Sequence, residues 1–297
     1  MCLVTSVLCR LYFNMADHCD YLDIMLSFVR QGGAIALKNI HKSGPSLKSD
    51  RTVVTKTDRA VSRLAHAMLA NVLKDPQHIL IDEEDPSAVS YLDGKRLTAS
   101  RYIWSVDPID GTRLYANGIP TFGISIGLIK DLKPWMGVVY FPVLNELFYC
   151  DGRNSYHIQH AFSKDQKKRK IVPIDQKISS QTIFFCNDTF FRKYTFNDPQ
   201  FHVMIQACAV VNLLWPAIGR GCGCFLRSSL WDFAGSWPIF RSAGLELRRV
   251  RDGKLLDRLD VELFKADVKP WELKEHHMLS SSRNFKVIKS KIIEISS

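Results

Sequence analysis

The run Trp104-Ser105-Val106-Asp107-Pro108-Ile109-Asp110-Gly111-Thr112 sets two carboxylates three residues apart, with a proline between them and Gly-Thr behind them. Carboxylate oxygens suit hard cations, and the amides of a Gly-Thr turn suit phosphate oxygens. Together they point to metal-assisted phosphate chemistry. Pro108 fixes one backbone angle and removes a donor. Gly111 lets the backbone approach a ligand closely, and Thr112 can cap a helix that follows, whose free N–H groups would face an anion. Two acids at the end of a buried strand repel each other unless cations sit between them.

Such a pair needs rigid supports. Tyr102 to Val106 reads as a strand entering the core, so the acids emerge at its carboxyl end. Ile79-Leu80-Ile81 is a brief strand ending at Asp82-Glu83-Glu84-Asp85. Thr57-Asp58 opens a helix with Val61, Leu64, Ala65, Met68, Leu69 and Val72 on its inner face. An earlier amphipathic helix covers Asp20 to Leu37. The polar segment His41 to Asp50 is a loop. Strands follow at Phe122–Ile129, Trp135–Tyr140 and Leu147–Tyr149, with a turn at Asp151-Gly152. Beyond the polar stretch 163–181 the pattern changes: a strand at Thr182–Cys186, an apolar helical region over Phe201–Ile218, a strand at Cys224–Leu226, and a helix over Trp231–Gly244 with Asp232 at its start. The division expected is an extension at 1–14, an N-terminal half at 15–170 and a C-terminal half at 171–297. No internal repeat is visible.

The chain has 297 residues, 46% of them hydrophobic, enough for one large domain or two closely packed ones. Its net charge is +10, but the basic residues are scattered. The densest run, Lys164 to Lys170, reads as a solvated loop, which argues against nucleic-acid binding. A basic surface would still steer an anionic substrate. The eight cysteines form no paired C-x-x-C framework and read as reduced thiols of a cytoplasmic protein. Cys222-x-Cys224 lacks the second pair that a soft-metal site needs. Residues 1–14 carry one charge, Arg10, without the features of a secretory signal, and are too short to span a bilayer. Met15-Ala16-Asp17 has the look of a start, so 1–14 reads as an upstream extension.

Four features in this order, Thr55-x-Thr57-Asp58, Glu83-Glu84, Asp107-Pro-Ile-Asp110-Gly-Thr112 and Trp231-Asp232-Phe233-Ala234-Gly235, resemble the inositol monophosphatase family of magnesium-dependent phosphatases. The resemblance implies an α/β (α+β) fold, a layered α-β-α-β-α sandwich. An N-terminal α+β half with an antiparallel sheet and a smaller α/β half would hold the site between them. It implies two or three Mg2+ ions. Glu83, Asp107 and the carbonyl of Ile109 would hold the first; Asp107, Asp110 and Asp232 the second; Glu83 would reach a third through water. Thr112, hydrogen-bonded to Asp58, would orient and help deprotonate the attacking water, and the Gly111 and Thr112 amides would bind phosphate. Asp110, Ala209 and Asp232 complete the substrate-facing set, the substrate being a small phosphorylated metabolite. Homodimerisation is also implied.

Taken singly, these acids have plainer readings. Glu83 and Glu84 would be solvated loop charges, and Asp58 and Asp232 helix-start acids favoured by the dipole. The context of each motif restores the ligand role. Three departures from the family pattern stand out. Asp82 occupies the place of a usual glycine. The stretch Gly219 to Leu230 is one residue short and has no acid before Asp232. Ala243-Gly244-Leu245 replaces Ala-Gly-Gly. The second departure bears on substrate, since an acid there would contact inositol hydroxyls. Arg227 could instead contact a second phosphate. The alternatives are therefore a 3′(2′),5′-bisphosphate nucleotidase, a histidinol-phosphatase-like member (Asp110-Gly-Thr-Arg113 with Gly118-Ile-Pro120), or a degenerate member that binds nucleic acid.

Overall fold

The computed structural model describes residues 3–42, 46–47, 53–187, 189–267 and 269–295. Helix α1 (Leu3–Asn39) leads to a small pair, β1 (Ser46–Leu47) and β2 (Val53–Val54), and then to α2 (Lys56–Leu69). α1 buries Met25, Phe28, Val29 and Ala36, a helical spacing; α2 buries Val61, Ala65 and Leu69. α2 begins at a capping box, in which the Thr55 hydroxyl oxygen accepts from the Thr57 and Asp58 amides while Asp58 accepts from the Thr55 amide.

The first sheet comprises β3 (His78–Asp82), β4 (Tyr102–Asp110), β5 (Gly123–Lys130), β6 (Lys133–Phe141), β7 (Glu146–Cys150), β8 (Ser155–Gln159) and β9 (Lys167–Ile171). They lie side by side in that order, β3 and β4 parallel and the rest antiparallel. Short helices α3 (Lys95–Ala99) and α4 (Thr112–Ala116) flank β4. The remaining elements are β10 (Ile183–Cys186), β11 (Tyr194–Phe196), β12 (His202–Ile205), α5 (Ala209–Leu214), β13 (Gly223–Leu226), α6 (Leu230–Ala234), α7 (Trp237–Ser242), β14 (Glu246–Arg249), β15 (His277–Ser280), α8 (Ser282–Lys289) and β16 (Ile292–Glu294). Five of these strands form the second sheet, in the order β12-β10-β13-β15-β14, while β11 pairs with β16.

The result is the five-layer sandwich expected. α1 and α2 cover one face of the first sheet, α5 to α7 lie between the two sheets, and α8 packs on the outer face of the second. Three apolar clusters fill the gaps, and the middle one joins Ile79, Ile103 and Phe148 to Phe185, Leu226 and Trp237. The chain leaves the first sheet at Ile171 and enters the second at Ile183.

Four local readings change. The run Lys164 to Lys170 is not only loop: Lys167 to Lys170 form the exposed part of β9, the edge strand, where positive charge discourages further strand pairing. The apolar region 201–218 splits into the parallel strand β12 and helix α5, because an apolar run that short fits either period. The helix expected over 231–244 is two, α6 and α7, broken at Gly235-Ser236 ahead of Pro238, which sits in the first turn of α7. The helix expected over Asp20 to Leu37 is longer, Leu3–Asn39. No helix among the described residues is long and apolar enough to cross a membrane.

Candidate metal and phosphate site

Strand β4 is buried along its whole length and ends with the two acids. Its pairing with β5 slips between Asp107 and Asp110, where three steps on β4 oppose two on β5 (Asp107 with Ser125, Asp110 with Gly123). This bulge accommodates Pro108, which has no amide for the ladder, and it turns both carboxylates toward one spot. Asp232 arrives from the middle layer at the third position of α6, where its Oδ2 accepts from the Ser229 amide at 2.7 Å. Asp107, Asp110 and Asp232 each offer an oxygen, and these three oxygens lie within 4.8 Å of one another.

Tight packing makes that approach possible. A Cβ at Gly127 would stand 2.5 Å from the Ala234 carbonyl carbon, and one at Gly235 would stand 2.3 Å from Ser125 Oγ. The small Ala234-Gly235 pair thus lets α6 lie directly on the first sheet, as its sequence predicts. Asp110 is tied to the C-terminal half as well: its Oδ1 accepts from the Ala209 amide at 2.8 Å and its Oδ2 from the Val210 amide at 3.0 Å.

The other predicted residues surround this cluster. Gly111, at φ +86°, leads into α4; a Cβ there would meet Cys208 Cβ at 3.2 Å. Thr112 Oγ1 stands 3.0 Å from Asp58 Oδ1 and 2.8 Å from the Ile109 carbonyl, so two acceptors share one hydroxyl proton. Glu83 lies just past β3, its amide donating to the Val106 carbonyl at 3.2 Å, and its side chain borders the cavity over the cluster; Glu84 does not. The aberrant Asp82 turns away from the cluster. Its Oδ1 accepts from the Glu84 amide (2.9 Å), and its Oδ2 faces Ser62 Oγ (2.7 Å) and His66 Nε2 (3.2 Å). Ser62 and His66 escaped notice in the sequence, yet a signal was there: Asp58, Ser62 and His66 recur every four residues along one stripe of α2.

Electrostatics follow from crowding. Burial, then Glu83, Asp110, Asp232 and Asp58, push the Asp107 carboxyl well above the ordinary carboxylate range. Burial raises Asp110 to about 6 against the hydrogen bonds from Cys208, Val210 and Ala209, and it raises Asp232 to about 7 with help from Asp110. Asp107 Oδ1 is buried with no hydrogen-bond partner. An all-oxygen set with one orphaned lone-pair site fits a hard divalent cation and not a soft one. Among the described residues the cysteines offer no rival centre. Cys222 and Cys224 lie in separate apolar clusters, and burial raises the Cys222 thiol to about 12.

Above the cluster lies a cavity of about 830 Å3, continuous through Glu83, Arg113, Asn187, Ser228, Asp232 and Lys269 with a second of about 390 Å3. Ala209 and Gly111 border the smaller one and Arg227 the larger. Lys193, Lys265, Lys269 and Glu272 also border the larger cavity. Lys193 comes from a segment distant in sequence from the other three, and nothing in their spacing announces them.

This chain is a hydrolase of the phosphatase class. It belongs to the inositol monophosphatase family, whose profile matches residues 21–285. Inositol monophosphatase 3 of Solanum lycopersicum is 32% identical over 241 residues, which are 76% of this chain and 84% of that one. Inositol monophosphatase 1 of the same organism is 29% identical over 237 residues, 76% of this chain and 82% of that one. A solved structure of an IMPase/NADP phosphatase complexed with Mg2+ and phosphate superposes with a TM-score of 0.71 at 18% identity, covering 92% of this chain and 95% of the other.

Proposed function

We propose that this chain is a magnesium-dependent phosphomonoesterase acting on a small phosphorylated metabolite, with its site at the junction of the halves 15–170 and 171–297. The observation that carries the reading is the approach of the Asp107, Asp110 and Asp232 oxygens to within 4.8 Å in a buried setting. Those three, with Glu83 and the Ile109 carbonyl, would hold two or three Mg2+ ions. When bound, the ions neutralise phosphoryl charge, lower the pKa of water and help the leaving oxygen.

The chain's own groups do the rest. The Gly111 and Thr112 amides receive phosphate oxygens. The Thr112 hydroxyl donates to Asp58 and keeps a lone pair for a proton of the attacking water. That proton transfer ends on Asp58, whose pKa burial raises, making it a better acceptor than a solvated aspartate. Asp110 and Asp232 face the substrate from the floor, and Ala209 and Arg227 from the cavity walls. The five described cysteines are all buried and free, which supports a reduced, cytoplasmic setting. The reading carries with it the homodimer expected of the family. Phosphate release from a panel of phosphomonoesters should require magnesium and stop in chelator; full activity in chelator would overturn the proposal.

A further inference from the structure

One wall of the larger cavity is cationic to a degree that one phosphoryl group over the acid cluster does not require. Its described lining residues include Arg113, Lys193, Arg227, Lys265 and Lys269 beside the acids Glu83 and Asp232, and Arg113 and Lys269 also line the smaller cavity over the acid cluster. The remaining carboxylate, Glu272, is shared: Lys265 Nζ lies 2.6 Å from its Oε2 and Arg227 Nε 3.7 Å from its Oε1. Neither cation is a solvated rim charge, since their side chains are 27% and 31% exposed. Two cations around one carboxylate leave excess positive charge in a concave, partly dry place, which is costly without an anion. Arg227 Nε is buried and makes no hydrogen bond. Behind them, burial and then the charges of Arg227 and Lys193 depress His276 to about 4, so its ring is neutral and adds no repulsion of its own.

We propose, on the phosphatase reading above, that the substrate carries a second phosphate, held in the larger cavity by Arg227, Lys265 and Lys269, beside the carboxylate cluster. A guanidinium fork and two ammonium groups match a dianion with several oxygens better than a single carboxylate. The second phosphate is bound and not cleaved. It orients the ester that loses its phosphoryl group to water. A sugar or a nucleoside could carry the two phosphates.

Matched pairs test this: glucose 1-phosphate against glucose 1,6-bisphosphate, and adenosine 3′-phosphate against adenosine 3′,5′-bisphosphate. Each is measured in magnesium for turnover and, separately, by calorimetry for affinity. At least one bisphosphate should show kcat/KM and affinity about 10- to 100-fold above its partner, the range for charge-assisted hydrogen bonds. The pair with the larger ratio identifies the scaffold. Arg227→Gln and Lys265→Gln should bring that ratio toward one. Lys269→Gln, at an exposed position, should lower it too and does not depend on the wall's packing. Equal kcat/KM and equal affinity within both pairs would overturn the second-phosphate site and leave the phosphatase reading standing. A retained affinity ratio with no turnover of any compound would do the reverse.

Discussion

At the floor of the cavity the acids are fixed by backbone: the Ala209 and Val210 amides hold Asp110, and the Ser229 amide holds Asp232. Along the wall of the larger cavity the cations lean on other side chains, Lys265 and Arg227 on Glu272 and Lys193 on the exposed Glu294. The floor comes from a bulged central strand and a helix pressed onto the sheet, so its geometry belongs to the core. The wall comes from loops and strand ends, outside that core. The chemistry is built in, and the selectivity is laid over it.

The largest expected effect lies at the floor and has opposite signs for function and stability. On the proposed reading Asp107 holds the cations, so Asp107→Asn should lower magnesium-dependent turnover by about 100-fold or more, beyond the cost typical of outer-shell changes. The same exchange relieves repulsion and should raise the melting temperature of the metal-free protein. The pH dependence follows from the raised carboxylates. A carboxyl whose folded pKa lies above its unfolded value stabilises while protonated, and that stability is lost as pH climbs. With Asp110 near 6 and Asp232 near 7, metal-free wild type should weaken between about pH 4 and pH 7. The gap to Asp107→Asn should widen over the same window and close when magnesium is added. Equal melting curves for the two proteins at neutral pH in chelator would mean that the floor carries no strain.

A smaller effect should come from the support of that floor. Asp82 binds the Glu84 amide and is braced by Ser62 and His66 on α2, so it positions the turn carrying Glu83. Asp82→Ala should weaken magnesium affinity about 10- to 100-fold, as losses of outer-shell partners do, with kcat restored at saturating metal. Unchanged metal affinity would show that the turn holds itself. Burial opposes a charged His66, but its hydrogen bond to Asp82 raises its pKa overall. The brace is therefore tightest below the ordinary histidine range and slackens as pH rises through the raised value.

The difference between floor and wall also explains what the sequence reveals. Asp107, Asp110, Gly111 and Thr112 are neighbours along the chain, and a strand followed by a turn is enough to bring them together. Asp232 was legible because Trp231 and Ala234-Gly235 mark a helix built for close approach. Residue type alone does not separate Glu83 from Glu84; the family resemblance picks Glu83, which lines the cavity. The wall was nearly silent: Lys193, Lys265 and Lys269 meet through the β11–β16 and 261–273 connections, whose folding no local period encodes. The split at 201–218 is not legible because its apolar residues fit helix and strand alike and tertiary pairing decides between them, whereas the break at 231–244 falls at Gly235-Ser236 ahead of Pro238.

The smallest effect separates contact from field. Lys193 is 47% exposed and its partner Glu294 62% exposed, and such a pair contributes little to stability. Its charge acts on the substrate at a distance, and salt screens that action. Raising ionic strength from about 0.01 to about 1 M shortens the Debye length from about 30 to about 3 Å. Over that range KM should rise while kcat stays level, because on the proposed reading the floor touches the reacting phosphate and the exposed wall charges only attract it. Lys193→Gln should raise KM about two- to threefold at low salt, less than the roughly tenfold that whole-field steering can supply, and by nothing at high salt. Steady-state kinetics across the salt series decides the point. A kcat that falls with salt would place the wall in the chemical step and erase the division between the two regions; a salt-dependent KM alone would keep it.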